Sequence, residues 1–320
     1  MNVSDSGAFK NKRILFTGAS GFLGRAVLRR LLAGQAKVDA LGLPDDPAPD
    51  EFKQVKNLKT HFLSLLEFKK VKTLATRLKP EMVLHMAAMV NLDRSFQVAK
   101  SCVETNIQGT LNLLEAVRES AVRSFVFIST AEVYGKGATP FQEGQRELPP
   151  SPYAVSKLAG ESLCRIYSSV HQIPVTILRL STCYGPGQGQ TRIIPSVALA
   201  CLNRQPIRVN SVAPQRDFIY VEDAAKAIVS ALAEKKAVGK TLNIGSPQTV
   251  SIKKIIAELC KITQSYPPVI EELKKVRAQE SGLWRMDNKL AKKILSWSPE
   301  TSLVQGLTNT VRWLEKNKIG

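Results

Sequence analysis

The chain has 320 residues, 44% of them apolar, which is enough for a sizeable core and for one large or two medium domains. Forty-five Lys and Arg against 27 Asp and Glu leave a net charge of +18, which excludes a disordered acidic chain and implies an anionic ligand or surface. No apolar run approaches the roughly 18 residues that cross a bilayer, and residues 1–10 lack an apolar signal core, so the sequence predicts a cytoplasmic protein with no membrane partner.

A polar tail over 1–11 precedes a predicted strand at 13–17, after which Phe22, Leu23, Val27, Leu28, Leu31 and Leu32 recur at helical spacing. Further strands are predicted at 38–43, 58–63, 82–85, 124–129 and 175–180, separated by helical patterns at 71–78, 105–119 and 153–170. This alternation predicts an α/β, Rossmann-like, doubly wound parallel sheet over 12–180. Beyond residue 180 the rhythm breaks at turn signals such as Tyr184-Gly185-Pro186-Gly187, between helices near 221–233, 251–263 and 302–316. A smaller α/β lobe over 181–320, interleaved with the first domain, is the expectation. Five scattered cysteines and three separated histidines, His61, His85 and His171, offer no disulfide framework, metal site or His-based triad.

Thr17-Gly18-Ala19-Ser20-Gly21-Phe22-Leu23-Gly24 sits directly after the first strand and opens the first helix. Glycines at this spacing permit a tight turn, close approach of a pyrophosphate to backbone amides, and helix-on-strand packing. The loop therefore predicts dinucleotide binding through Gly18, Ser20, Gly21, Phe22, Leu23 and Gly24. The carboxylate that would mark NAD at the end of the second strand is replaced by Gly42; Asp45 and Asp46 follow in a Pro-rich turn. No Arg or Lys stands at 42–46 to receive a 2′-phosphate, so NAD is favoured without NADP being excluded.

Tyr153 and Lys157 are four residues apart, one helical turn, so both project from one face. A nearby ammonium favours phenolate and would draw the tyrosine pKa down from about 10, making Tyr153 a general acid or base.

These motifs occur in one order with His85-Met86-Ala87-Ala88, the run 105–110, Ser129-Thr130-Ala131-Glu132 within 128–135, the run 179–187, Gln215-Arg216-Asp217-Phe218 within 215–225, and the run 295–299. Together they resemble the extended short-chain dehydrogenase/reductase superfamily, in its NAD-dependent nucleotide-sugar epimerase/dehydratase branch, over residues 12–316. The resemblance implies a catalytic trio of Thr130, Tyr153 and Lys157, with Ala87, Tyr153 and Lys157 also at the cofactor. It implies a nucleotide-diphosphate sugar held by Thr130, Thr182 and Arg216, with Arg277 as a further candidate. Ser129 is read as the packed neighbour of Thr130, and relatives imply a homodimer formed through helices around 95–119 and 153–170.

Where relatives often carry Asn, this chain has Thr182, and the carboxylate expected after the third strand is missing, leaving Ser64 as the polar substitute. Ala131 replaces the first member of an acidic pair used by 4,6-dehydratases, while Glu132 keeps the second as a possible base or substrate contact. The leading expectation is an NAD-dependent 4-epimerase working through a transient 4-keto sugar. Alternatives are an NAD(P)H-dependent 4-keto-sugar reductase and a decarboxylase using Glu132. A non-catalytic nucleic-acid-binding protein is disfavoured, because the lysines are dispersed and aromatic residues make up only 6% of the chain.

Overall fold

The computed structural model describes residues 7–43, 50–52, 54–246, 248–272 and 283–317. Arg277, Asp45 and Asp46 lie outside the described residues.

The first half alternates strand and helix: β1 (Arg13–Thr17), α1 (Phe22–Ala33), β2 (Lys37–Gly42), β3 (Leu58–Phe62), α2 (Phe68–Leu78) and β4 (Met82–His85). It continues through α3 (Phe96–Cys102), α4 (Gly109–Val117), β5 (Ser124–Thr130), α5 (Pro152–His171) and β6 (Val175–Leu180). The second half holds β7 (Thr182–Tyr184), α6 (Ile193–Leu202), β8 (Ile207–Val209), β9 (Gln215–Tyr220), α7 (Val221–Ala233) and β10 (Thr241–Ile244). β11 (Thr249–Ser251), α8 (Ile252–Thr263), β12 (Val269–Glu271), α9 (Lys289–Leu295) and α10 (Leu303–Lys316) complete the series.

A seven-stranded parallel sheet runs in the order β10-β6-β5-β4-β1-β2-β3. Strand order reverses between β1 and β4, which opens a crevice at their carboxyl ends. β10 comes from beyond residue 180, so the chain returns to the main sheet after beginning the smaller lobe. That lobe carries β11-β9-β7 and β12-β8.

Strand alternation supplies both faces of the sheet. Along β5, Phe125 and Phe127 enter the core shared with Leu113, Leu114 and Cys164, whereas Val126 and Ile128 join Val27, Leu28 and Ile228 on the opposite side. The helix predicted over 105–119 is observed through Val117, opening in a π-turn at Val103–Gln108 that runs from α3 into α4 without a break. The reason is tertiary: in this wider turn Asn106 is buried and accepts from the Met89 N–H (2.7 Å), while its Nδ2 donates to Met89 O and Ser156 Oγ. Among the described residues no helix is long and apolar enough to cross a membrane.

α5 is the helix that sets up the site. Ser151 caps it by accepting from the Ala154 N–H (3.1 Å), Pro152 occupies its first turn, and Gln172 ends it in the left-handed region. Its Glu161 is fully buried and accepts from Ser129 Oγ (2.5 Å), Arg179 Nε (2.9 Å), Arg179 Nη2 (2.6 Å) and Arg165 Nη2 (2.7 Å). Burial disfavours the Arg179 cation, but the Glu161 hydrogen bonds and charge outweigh it and hold the guanidinium protonated. This cluster ties α5 to β5 and β6. Breaking a buried pair leaves an uncompensated charge, so Glu161→Gln is expected to cost about 3–5 kcal/mol, read as a lowered urea midpoint.

Candidate active site

At the crevice lies a cavity of about 1320 Å³ whose walls come from the sheet's loops on one side and the smaller lobe on the other. Gly18, Ser20, Gly21, Phe22, Leu23 and Gly24 line one end. Gly18 has φ +82°, and a Cβ there would come within 2.6 Å of the Ala87 amide nitrogen. A Cβ at Gly24 would run into the Gly18 carbonyl. Gly21 N-caps α1 without a side-chain bond, so the helix start presents its amides to the cavity. Gly42, Leu43 and Ser64 line the same end, where carboxylates were expected.

A buried relay fixes the separation of the β1 and β4 loops. Thr17 Oγ1 lies 2.7 Å from His85 Nδ1, and His85 Nε2 lies 2.9 Å from Thr110 Oγ1. Since Thr110 Oγ1 donates to Asn106 O (2.6 Å), it accepts from His85 Nε2, and Thr17 donates to Nδ1 while accepting the Ala87 N–H. Burial, with the Lys157 charge adding to it, pushes His85 down to about 3, which agrees with a neutral ring.

Thr130, Glu132, Tyr153 and Lys157 line the middle of the cavity. Thr130 Oγ1 accepts the Glu132 N–H (3.2 Å), and the Thr130 hydroxyl stands beside the Tyr153 phenol, where it favours the ionised form. Ser129, the adjacent hydroxyl, donates to Glu161 instead. Tyr153 is 9% exposed and Lys157 3%. The downward shift expected for Tyr153 is corrected: burial and the Glu132 carboxylate push the phenol up, with the Thr130 hydroxyl and the Arg192 charge offsetting part of this. Desolvation penalises phenolate more than these groups favour it. Burial likewise pushes Lys157 down to about 8, with the neighbouring Cys164 and Glu161 opposing the shift.

The smaller lobe contributes Thr182 at the start of β7 and Arg216 on β9, both lining the cavity. The Arg216 guanidinium lies 5.3 Å from the Trp284 ring centroid. Asp217 beside it is buried, accepts from the Ser246 N–H (2.6 Å) and Met286 N–H (3.3 Å), and is raised to about 7 by burial. Arg192, Gln188 and Asp217 escaped the sequence reading. Arg192 N-caps α6 far along the chain from Tyr153, and only folding brings its charge to bear on the phenol. A cation just after a Gly-rich turn was the signal available.

The model of a family described as NAD dependent epimerase/dehydratase matches residues 14–245. The chain is 33% identical over 311 residues to an uncharacterised UDP-glucose epimerase of Bacillus subtilis, covering 94% of this chain and 98% of that one. It is 31% identical over 317 residues to a UDP-glucuronate 4-epimerase of Thermodesulfobacterium geofontis, covering 95% and 96%. The solved structure of a UDP-glucuronic acid 4-epimerase from Bacillus cereus, in complex with UDP-glucuronic acid and NAD, matches with a TM-score of 0.87 and 29% identity over 95% of this chain and 99% of that chain.

Because the Lys157 pKa is lower folded than unfolded, the unfolded chain binds the extra proton between about 8 and the ordinary lysine value of 10.5, and stability rises with pH through that window. Lys157→Met removes this penalty. The variant is expected to be more stable than the parent at pH 7, by an amount on the order of a few kcal/mol, with the gap closing towards pH 10.5, as paired urea titrations would read.

Proposed function

The chain belongs to the NAD dependent epimerase/dehydratase family, enzymes of the extended short-chain dehydrogenase/reductase type, and on that premise we propose that it is a nucleotide-sugar 4-epimerase. The observation that carries this reading is that Thr130, Tyr153 and buried Lys157 line one cavity together with the glycine loop.

The loop residues fit NAD. Side chains at Gly18 or Gly24 would close the cradle, the start of α1 offers amides to a pyrophosphate, and the buried Gln188 Oε1 has no hydrogen-bond partner among the described residues. Gly18, Ser20, Gly21, Phe22, Leu23, Gly24 and Ala87 would hold it, with Lys157 at its nicotinamide end. When bound, NAD supplies the acceptor and then the donor of a hydride at C4.

In its phenolate form Tyr153 takes the proton of the C4 hydroxyl as the 4-keto sugar forms, and the resulting phenol returns it when the carbonyl is reduced from the other face. Thr130 holds that oxygen in reach of the phenol. The Thr130 hydroxyl and the Arg192 charge both favour phenolate, opposing the burial that favours the neutral phenol. Arg216, whose guanidinium can make two parallel bonds to phosphate oxygens, and Thr182 grip the diphosphate. Arg277 is a further candidate for that end. Because Glu132 acts on the Tyr153 phenol, a decarboxylase using Glu132 is the second reading; release of carbon dioxide and a pentose product would distinguish it.

The expected partner is a second copy of this chain. Val155, Ile166 and Val170 of α5, with Phe96 and Val103 of the neighbouring segment, are large apolar side chains left exposed, Phe96 by 83%. Positions 155, 166 and 170 recur at helical spacing along one stripe.

The purified protein, denatured, is expected to release NAD near one per chain, and to interconvert 4-epimers of a nucleotide sugar without added cofactor, followed by proton NMR. Tyr153→Phe should keep the NAD and lose about 10²–10⁴-fold in turnover. An empty protein that reduces a 4-keto sugar with NADPH would replace the epimerase by the reductase. Ile166→Asp is expected to convert a dimer to a monomer in light scattering behind size-exclusion chromatography.

A further inference from the structure

Lys157 presents an electrostatic problem of its own. Lys157 is 3% exposed and lines the cavity, and among the described residues its ammonium makes no ion pair or hydrogen bond. Three titratable groups act on or feel it: Glu161 and Cys164 from its own helix and His85 from β4. Glu161 is already engaged by Arg179, Arg165 and Ser129. The Cys164 thiol is pushed up by burial, so it stays neutral, and His85 is neutral as well. Desolvation at such a place penalises the charged form.

The contact that the structure gives it is aromatic. Lys157 Nζ lies 4.1 Å from the centroid of the Phe127 ring. Phe127 is fully buried on β5, and its ring is held from two further sides. The His85 ring centroid is 5.6 Å away, tilted by 50°. On α5, Gly160 leaves room for the ring: a Cβ there would come within 2.7 Å of Phe127 Cζ. The helix therefore carries the lysine and the space for the ring three residues apart, so that the negative π face meets the ammonium at one height of α5.

The geometry points to Phe127 as a positioning residue, whose ring face keeps the Lys157 ammonium charged and in place one helical turn from Tyr153, with Gly160 as the gap that admits the ring. The inference rests on the proposed role of Lys157 for its catalytic meaning, but its electrostatic content stands without any substrate. In a desolvated setting a cation–π contact is worth more than at the surface, and Phe127 is the partner that the neutral His85 and Cys164 do not provide.

The test replaces Phe127 by 4-fluoro-, trifluoro- and pentafluorophenylalanine, which drain the ring face stepwise at nearly constant shape. The pKa of Lys157 is read by NMR on the full chain labelled with carbon-13 at the lysine ε-carbon, the resonance being assigned by its loss in Lys157→Met. A stepwise fall across the series, reaching roughly one pH unit, is expected at unchanged thermal midpoint. Gly160→Ala, which displaces the ring without touching the lysine, should lower the pKa in the same direction. A Lys157 pKa that stays constant through the fluorinated series overturns the inference, because a purely steric role for the ring would leave the titration where it is. If the epimerase reading holds, the alkaline limb of turnover moves down with the pKa. A stepwise fall in a protein with no epimerase activity would support the Phe127 assignment and discard the epimerase.

Discussion

One face of α5 carries Tyr153, Lys157 and Glu161 at intervals of four, and the burial of all three is the constraint to which the surrounding structure answers. Three ionisable side chains out of water need three separate solutions. Glu161 is met by two arginines and a serine, which bind the helix to β5 and β6. Lys157 meets the face of Phe127. Tyr153 meets Thr130, a neutral hydroxyl, and stays protonated. The same burial that costs stability pushes the ammonium pKa down and the phenol pKa up, so the two move apart.

The sheet explains why those neighbours are at hand. β5 delivers Phe127 and Ser129 to the α5 side of the sheet, and ends at Thr130 where the cavity begins. Reversal of strand order between β1 and β4 parts the helices above the sheet, and the glycine loop and the Ala87 loop form the two lips of the gap. His85 spans from Thr17 to Thr110, so the width of that gap is tied to the π-turn that carries Asn106. A neutral imidazole suits this task because it can accept at one nitrogen and donate at the other.

The excess positive charge takes on a local meaning in the cavity. Arg192 and Arg216 come to it from the smaller lobe, while much of the acidic complement is spent elsewhere, as in the Arg29 and Arg30 pairs with Glu222. A cavity bordered in this way draws anions inward, in keeping with a substrate that bears a diphosphate.

What the sequence by itself determined is whatever depends on local spacing. Alternation of apolar residues set the strands, the glycine triplet after β1 set the loop, and the interval of four put Tyr153 and Lys157 on one face, because each follows from a period of two or of 3.6 along the chain. Tertiary structure decided the rest. It widened the start of the expected helix over 105–119 into a π-turn around Asn106, since the partners Met89 and Ser156 are remote in sequence. It reversed the direction of the Tyr153 shift, and it brought Arg192 to bear on a phenol 39 positions away in the chain, 192 minus 153. Charge states of buried groups depend on desolvation and on which side chains fold against them, and neither quantity is written in the local order of residues.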